Sequence, residues 1–262
     1  MKFEGQLVKM ITENDRPIRY YLNLSDDLIY MNDLFGRELT IRHTGYQCLS
    51  CELDVPLFRM GFCKKCFYES PMASSAILRP ELSRAHLGEE DRDLAYEQEF
   101  QLKPHIVYLA YTGDVKVGVT RETQIPTRWI DQGATFALPI ARTTNRYEAG
   151  QIEVEMKKHL PDKTNYRKML QTLESDVDLM DFRNQIREYF PDESAAFYSH
   201  EEELWRLDYP YETPDQCTVL TLQKNPTISG VLRGIKGQYL SFEGGNFLNV
   251  RAHEGCRIEL EL

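Results

Sequence analysis

Four cysteines in the first third of this 262-residue chain are spaced for one task. Cys48 and Cys51 form C-L-S-C, Cys63 and Cys66 form C-K-K-C, and eleven residues separate the pairs. Each C-x-x-C can turn back on itself and aim two thiolates at one ion, so two knuckles on adjacent hairpins complete a tetrahedral zinc site. Four protein ligands leave no open coordination position, and the spacing therefore predicts structural rather than catalytic zinc. Gly45 and Gly61 precede the knuckles, where tight turns need them. Tyr46, Phe58, Phe62 and Phe67 can shield the ion. A set of reduced core cysteines, or a redox pair, is the competing reading. Cys217 and Cys256 stand alone and read as small buried apolar residues.

A second stretch with chemical potential is V-Y-L-A-Y-T-G-D-V-K-V-G-V-T-R, residues 107–121. Two β-prone runs separated by T-G-D predict a hairpin, and it carries Tyr108, Lys116, Gly118 and Arg121. P-T-R-W-I-D-Q-G-A (126–134) starts with Pro and ends near Gly, as a short helix does. F-A-L-P-I-A-R-T (136–143) can return as a third strand. The helix that follows places Ile152, Met156 and Leu160 four apart on one face.

The elements around these stretches read as a chain of segments. Residues 1–46 form a β unit, 47–104 the zinc ribbon and a Pro-punctuated connector with a short helix near 80–86, and 105–172 a mixed α/β segment. Residues 173–216 are acidic with helical patches, expected to pack on the surface between the β units, and 217–262 form a second β unit. The two β units resemble each other. E-G-Q-L-V-K-M, R-Y-Y-L-N-L and G-R-E-L-T-I-R-H-T-G answer to S-G-V-L-R-G-I, G-Q-Y-L-S-F and G-N-F-L-N-V-R-A-H-E-G. Three short strands cannot bury a face alone, so two copies at the chain ends are expected to pair into one small barrel or sandwich. The fold class is thus α+β.

Composition limits the function. A net charge of −10 argues against a wholly electrostatic nucleic-acid binder. The charge is uneven: residues 103–169 hold 11 basic and 7 acidic side chains, whereas 171–216 hold 13 acidic and 3 basic. A mildly basic middle can still grip a polyanion, and the acidic stretch could contact a basic protein partner. No apolar run is long enough for a membrane helix and no signal peptide is evident, so the expected compartment is the cytoplasm.

The order of Tyr108, Gly118, Arg128, Glu153 and Asn165 resembles the GIY-YIG nuclease superfamily. That resemblance implies a three-stranded antiparallel sheet flanked by helices. Over nearly its whole length the chain also resembles an uncharacterised prokaryotic family, domain of unknown function 2797, through the four-cysteine knuckle, K-V-G-V-T-R, Q-I-P-T-R-W-I-D-Q-G-A and D-K-T-N-aromatic-R. The superfamily resemblance implies metal-dependent phosphodiester hydrolysis. Tyr108 would take a proton from the attacking water, Arg128 would neutralise phosphoryl charge, Glu153 would hold a Mg or Mn ion, and Asn165 would close the site. Lys116, Gly118 and Arg121 would bind substrate. Lys116 stands where the second tyrosine of the signature lies in other branches; it can hold phosphate but cannot supply a phenolate. The function expected is that of a nucleic-acid-processing endonuclease, acting on DNA or RNA. The alternatives are a non-catalytic nucleic-acid binder and a protein-interaction regulatory module.

Overall fold

Period-two burial sets up the first strands. In R-Y-Y-L-N-L, Tyr20, Leu22 and Leu24 are buried while Arg19, Tyr21 and Asn23 lie outward. The computed structural model describes residues 1–25, 27–160, 165–172, 177–200 and 203–262. In chain order the strands are β1 (Lys2–Gln6), β2 (Ile11–Glu13), β3 (Arg19–Leu24), β4 (Asp27–Tyr30), β5 (Glu38–Tyr46), β6 (His105–Tyr111), β7 (Val115–Arg121), β8 (Phe136–Thr143), β9 (Trp205–Arg206), β10 (Thr218–Leu220), β11 (Thr227–Lys236), β12 (Tyr239–Phe242), β13 (Asn246–Asn249) and β14 (Cys256–Glu261). The α-helices are α1 (Lys64–Glu69), α2 (Ser75–Leu78), α3 (Leu94–Gln101), α4 (Thr127–Asp131), α5 (Arg146–Met156), α6 (Tyr166–Gln171) and α7 (Leu179–Ile186). The chain divides into two units, Met1–Ala73 with Asp208–Leu262, and Ser74–Leu207. The protein is α+β.

In the first unit the terminal segments do pair, but into an open sheet. The order is β1-β14-β5-β11-β12-β13-β10, beside a three-stranded sheet β2-β3-β4. Among the described residues β1 and β10 end the large sheet without pairing to each other, so of the expected barrel or sandwich the barrel does not close.

The internal repeat is visible in the registers. β1 pairs β14 with Phe3 opposite Leu260 and Gly5 opposite Ile258; β11 pairs β5 with Ile228 opposite Ile41 and Gly230 opposite Leu39. Each copy therefore lends its first strand to the last strand of the other, and β14 and β5 meet antiparallel at the centre. The hairpins match as well: Leu22 opposite Ile29 and Asn23 opposite Leu28 in β3–β4, Leu240 opposite Leu248 and Ser241 opposite Phe247 in β12–β13. The sequence pairing of G-R-E-L-T-I-R with G-N-F-L-N-V-R is thus one strand out of step, since β5 corresponds to β14 and β13 to β4.

The second unit is built on the antiparallel order β7-β6-β8-β9. Val107, Leu109, Val115 and Val117 point to one face and pack with Ala149, Ile152 and Met156 of α5. Tyr108 and Gly118 belong to the opposite face by alternation. There Trp129 of α4 closes edge-to-face on Tyr108, with ring centroids 5.7 Å apart. α5 starts at Asn145, whose side chain accepts from the Glu148 backbone N–H at 3.1 Å. The acidic segment contributes more than surface: Leu179 and Ile186 of α7 join the core beside α5, rather than lying between the β units. The connector helix expected near 80–86 is two separate 3-10 turns, Pro80–Leu82 and Ala85–Leu87.

Candidate functional site

The four cysteines converge. One ligand atom from each of Cys48, Cys51, Cys63 and Cys66 lies within 4.8 Å of all the others. Sulfurs of a tetrahedral four-thiolate zinc site stand about 3.8 Å apart, so the cluster needs only a small contraction to hold the ion. The first knuckle is a turn, but the second is a helix start rather than a hairpin. Cys63 is the N-cap of α1, its sulfur accepting from the Cys66 N–H at 3.5 Å, while the Cys63 N–H donates to the Cys48 sulfur at 3.3 Å. Burial opposes ionisation of Cys48, yet N–H donors from Cys51, Cys63 and Ser50 outweigh it and pull the thiol down to about 6. Burial and the neighbouring sulfurs push Cys66 up to about 12. Phe62 and Ala73 pack around Cys48, with Phe67 at the edge. Gly61 has φ +77°, and a Cβ there would collide with the Leu49 side chain. The donor set fits a structural zinc ion.

The second constellation is in the Ser74–Leu207 unit. Tyr108 and Gly118 are directly opposite on β6 and β7. A Cβ at 118 would lie 2.7 Å from both Cζ and Oη of Tyr108, so the missing side chain makes room for the tyrosine ring. A bulge between Val107 and Tyr108 in the pairing with β8 shifts the register at this point, a common device for re-aiming a side chain. The Tyr108 hydroxyl donates to Gln132 Oε1 at 2.9 Å. Burial raises its pKa; Arg128, by charge and hydrogen bond, opposes that rise, and Glu153 adds to it. Lys116, also buried, is lowered to about 8 by desolvation and by the Arg128 charge, with Glu153 acting the other way. Glu153 is buried on α5 and raised by that burial, while Lys157 at 3.3 Å and Arg146 favour its charged form. Arg128 and Glu153 thus both act through their charge on Tyr108 and on Lys116.

Two further expected members have local partners of their own. Arg121 stacks on Phe100, its guanidinium carbon 4.7 Å from the ring centroid. Asn165 is the exposed N-cap of α6, accepting from the N–H groups of Arg167 and Lys168. The remainder of the D-K-T-N motif, Asp162 to Thr164, falls outside the described residues.

Residues that the sequence reading passed over complete the surroundings. Arg146, lowered to about 10 mainly by burial, donates to the backbone carbonyls of Ala76 and Ile77, both at 2.8 Å. His105 is fully buried with Nδ1 against the Lys103 carbonyl at 2.7 Å, and desolvation lowers it to about 4. Arg146 sits immediately after a helix-capping Asn, which hid it among ordinary first-turn residues.

No helix among the described residues is long and apolar enough to cross a membrane. Comparison with curated proteins and with solved structures returned no match. One family model, described as a protein of unknown function (DUF2797), matches residues 36–258, from the turn before β5 into β14 and so across both the cysteine cluster and the Tyr108 group. The chain belongs to the DUF2797 family.

Proposed function

We propose that the chain processes nucleic acid, with the Ser74–Leu207 unit acting as a GIY-YIG-like, metal-dependent endonuclease and the zinc cluster as a structural element. The observation that carries this reading is the gathering of Tyr108, Lys116, Arg128 and Glu153 from two strands and two helices. The sequence of hairpin, short helix, third strand and longer helix around a central first strand supports it.

Each residue has work to do in phosphodiester hydrolysis. Arg128 would bind phosphoryl oxygens and stabilise the charge that grows on them. Lys116 would hold a phosphate oxygen as a point charge. Tyr108, with its hydroxyl tied to Gln132, would orient the attacking water and accept its proton through a relay. Glu153 offers one carboxylate in a buried setting where its charge lacks solvent, which suits a hard divalent cation that otherwise keeps its waters. Mg or Mn bound there supplies Lewis-acid stabilisation of the phosphoryl group. Lys157 would have to release Glu153 to make way for the ion.

That last contact, with the complete burial of Tyr108, favours a second reading in which the site binds nucleic acid without cutting it. The test is cleavage of a labelled panel of DNA and RNA duplexes, branches and single strands with Mg or Mn. Metal-dependent cuts by the wild type, lost in Glu153→Ala, support the nuclease. Salt-sensitive binding weakened by Arg128→Ala, without cuts, supports the binder. Equal cutting by Glu153→Ala refutes the assignment, and neither cutting nor binding refutes both readings.

A further inference from the structure

The turn and helix on either side of the second cysteine pair also carry aromatic rings that face water. Phe62 N–H donates to the Arg59 carbonyl at 2.9 Å, and Phe58 N–H to the Phe62 carbonyl at 2.7 Å. Between them Met60 and Gly61 both have positive φ, +53° and +77°. That is the geometry of a tight two-residue hairpin, and it fixes Phe58 on one side of the cysteines. On the other side α1 holds Phe67 and Tyr68. The three rings meet: centroids are 5.3 Å apart for Phe58 and Phe67, 5.9 Å for Phe58 and Tyr68, and 5.3 Å for Phe67 and Tyr68. Phe67 packs inward against the cluster around Cys48, but Phe58 is 43% and Tyr68 58% exposed. Contiguous exposed rings of this kind mark a surface that binds something.

Charge says what. Residues 58–68 hold three basic side chains and no acidic one, in a chain of net charge −10. The Arg59 guanidinium carbon stands 5.4 Å from the Phe58 ring centroid. Lys64 lies one turn before Tyr68 on the same face of α1. A cation therefore flanks each exposed ring. The acidic residues of 47–69 are Glu52, Asp54 and Glu69. Asp54 is paired with Arg257 at 3.4 Å and Glu69 with Lys65 at 3.9 Å, while Glu52 follows the first knuckle. Among the described residues neither Arg59 nor Lys64 forms an ion pair. The cysteine sulfurs draw on backbone N–H groups instead, from Cys63 to Cys48 and from Cys66 to Cys63.

We infer that this face binds a single strand of nucleic acid, with bases stacked on Phe58 and Tyr68 and phosphates held by Arg59 and Lys64. A single strand offers a flat π face and one negative charge per nucleotide, which is the alternation of ring and cation found here. A duplex keeps its base faces stacked on one another and cannot use the rings. In the class of ligand the inference rests on the proposed function. In location it does not, since Phe58, Arg59, Lys64 and Tyr68 lie in the Met1–Ala73 segment and the Tyr108 group in the other unit.

The test uses the full chain with fluorescein-labelled oligo-dT and oligo-rU, and a duplex of equal length, read by anisotropy. Saturable binding of a single strand, tighter than that of the duplex, is expected. Tyr68→Ala and Phe58→Ala should each weaken it about five- to 150-fold, the worth of one stacked base. Tyr68→Phe keeps the ring and should bind as the wild type does. Lys64→Gln should lower the slope of log affinity against log salt by about 0.7. Wild-type circular dichroism in the two alanine variants excludes misfolding as the cause. No saturable binding of either single strand overturns the inference, as does wild-type affinity in both alanine variants. Binding weakened by Arg128→Ala but by neither alanine variant leaves the proposed function standing and removes this one. Binding weakened by Tyr68→Ala and Phe58→Ala but not by Arg128→Ala, without cleavage, upholds this surface and removes the role of the Tyr108 group. A labelled polyglutamate peptide bound by the wild type and lost in Tyr68→Ala, with no oligonucleotide bound, would overturn the inference and give the face to an acidic protein segment.

Discussion

Substituting Gly118 by alanine tests the geometry at the centre of the second unit. The added methyl would sit 2.7 Å from Cζ and Oη of Tyr108. The ring cannot swing aside, because it is fully buried and Trp129 closes on it. Overpacking a core by a methyl costs roughly 1–3 kcal/mol. Displacing the hydroxyl from Gln132 adds about 1 kcal/mol. Gly118 is not in the left-handed region, so the lower backbone entropy of unfolded alanine returns about 0.4–1 kcal/mol. The net expectation is a loss of about 1–4 kcal/mol. In a Tyr108→Ala background the methyl enters vacated space, and the same substitution should be close to neutral. The chain has two tryptophans, Trp129 and Trp205, both in this unit with centroids 5.4 Å apart. Urea unfolding followed by tryptophan emission thus reports on this unit, and the four chains of the cycle give the coupling directly. Equal destabilisation by Gly118→Ala in both backgrounds, or none in either, would refute the account of why residue 118 is glycine.

Other consequences can be measured independently. The purified chain should carry one zinc per molecule; Cys48→Ser should reduce bound zinc, and Gly61→Val should do so without removing a ligand, as elemental analysis would show. His105 is held neutral, with its folded pKa near 4 below the ordinary 6.5, so the unfolded chain binds the extra proton between these values. Stability should therefore fall on acidification through that window, by up to roughly 3 kcal/mol from this residue, and His105→Gln should flatten that part of the profile in denaturant titrations at stepped pH. Arg146→Met keeps much of the aliphatic stem but deletes the donors to Ala76 and Ile77; a loss of about 2 kcal/mol is expected by tryptophan-monitored unfolding.

What could be read from the sequence was local. The T-G-D turn, the third strand at 136–143 and the apolar stripe Ile152–Met156 each follow from short-range periodicity, and they position most of the Tyr108 group. The cysteine spacing held enough information to bring four sulfurs together. Non-local choices were not legible. Whether β1 closes on β10 depends on how the whole sheet twists, and no segment encodes that alone. The repeat was visible, but its third strand was misaligned because alternating sequences look alike when shifted by a strand. In α7 the acidic composition concealed Leu179, Arg183 and Ile186, which are spaced for one buried face. Tyr108 and Gly118 were both noted, yet their contact across the hairpin needs the exact cross-strand register. Arg121 and Asn165 fitted the intervals expected of a site; not legible was that the first also stacks on Phe100 and the second also caps α6.

The exchange of first strands between the two repeat copies also dictates when the first unit can exist. β5 needs β14 on one side and β11 on the other, and the contact between Arg42 and Glu259 spans 217 residues. At ribosomal rates of about 5–20 residues per second, the N-terminal copy waits roughly 10–40 s between emerging and meeting its complement. Residues 74–207 are made during that wait and contain their own sheet and core, so they can fold first. Meanwhile the bare β1 and β5 edges are open to wrong partners, and overproduction would trap the nascent chain at this stage. The topology thus lets the molecule assemble from the middle outward, with the segment made first among the last to be completed.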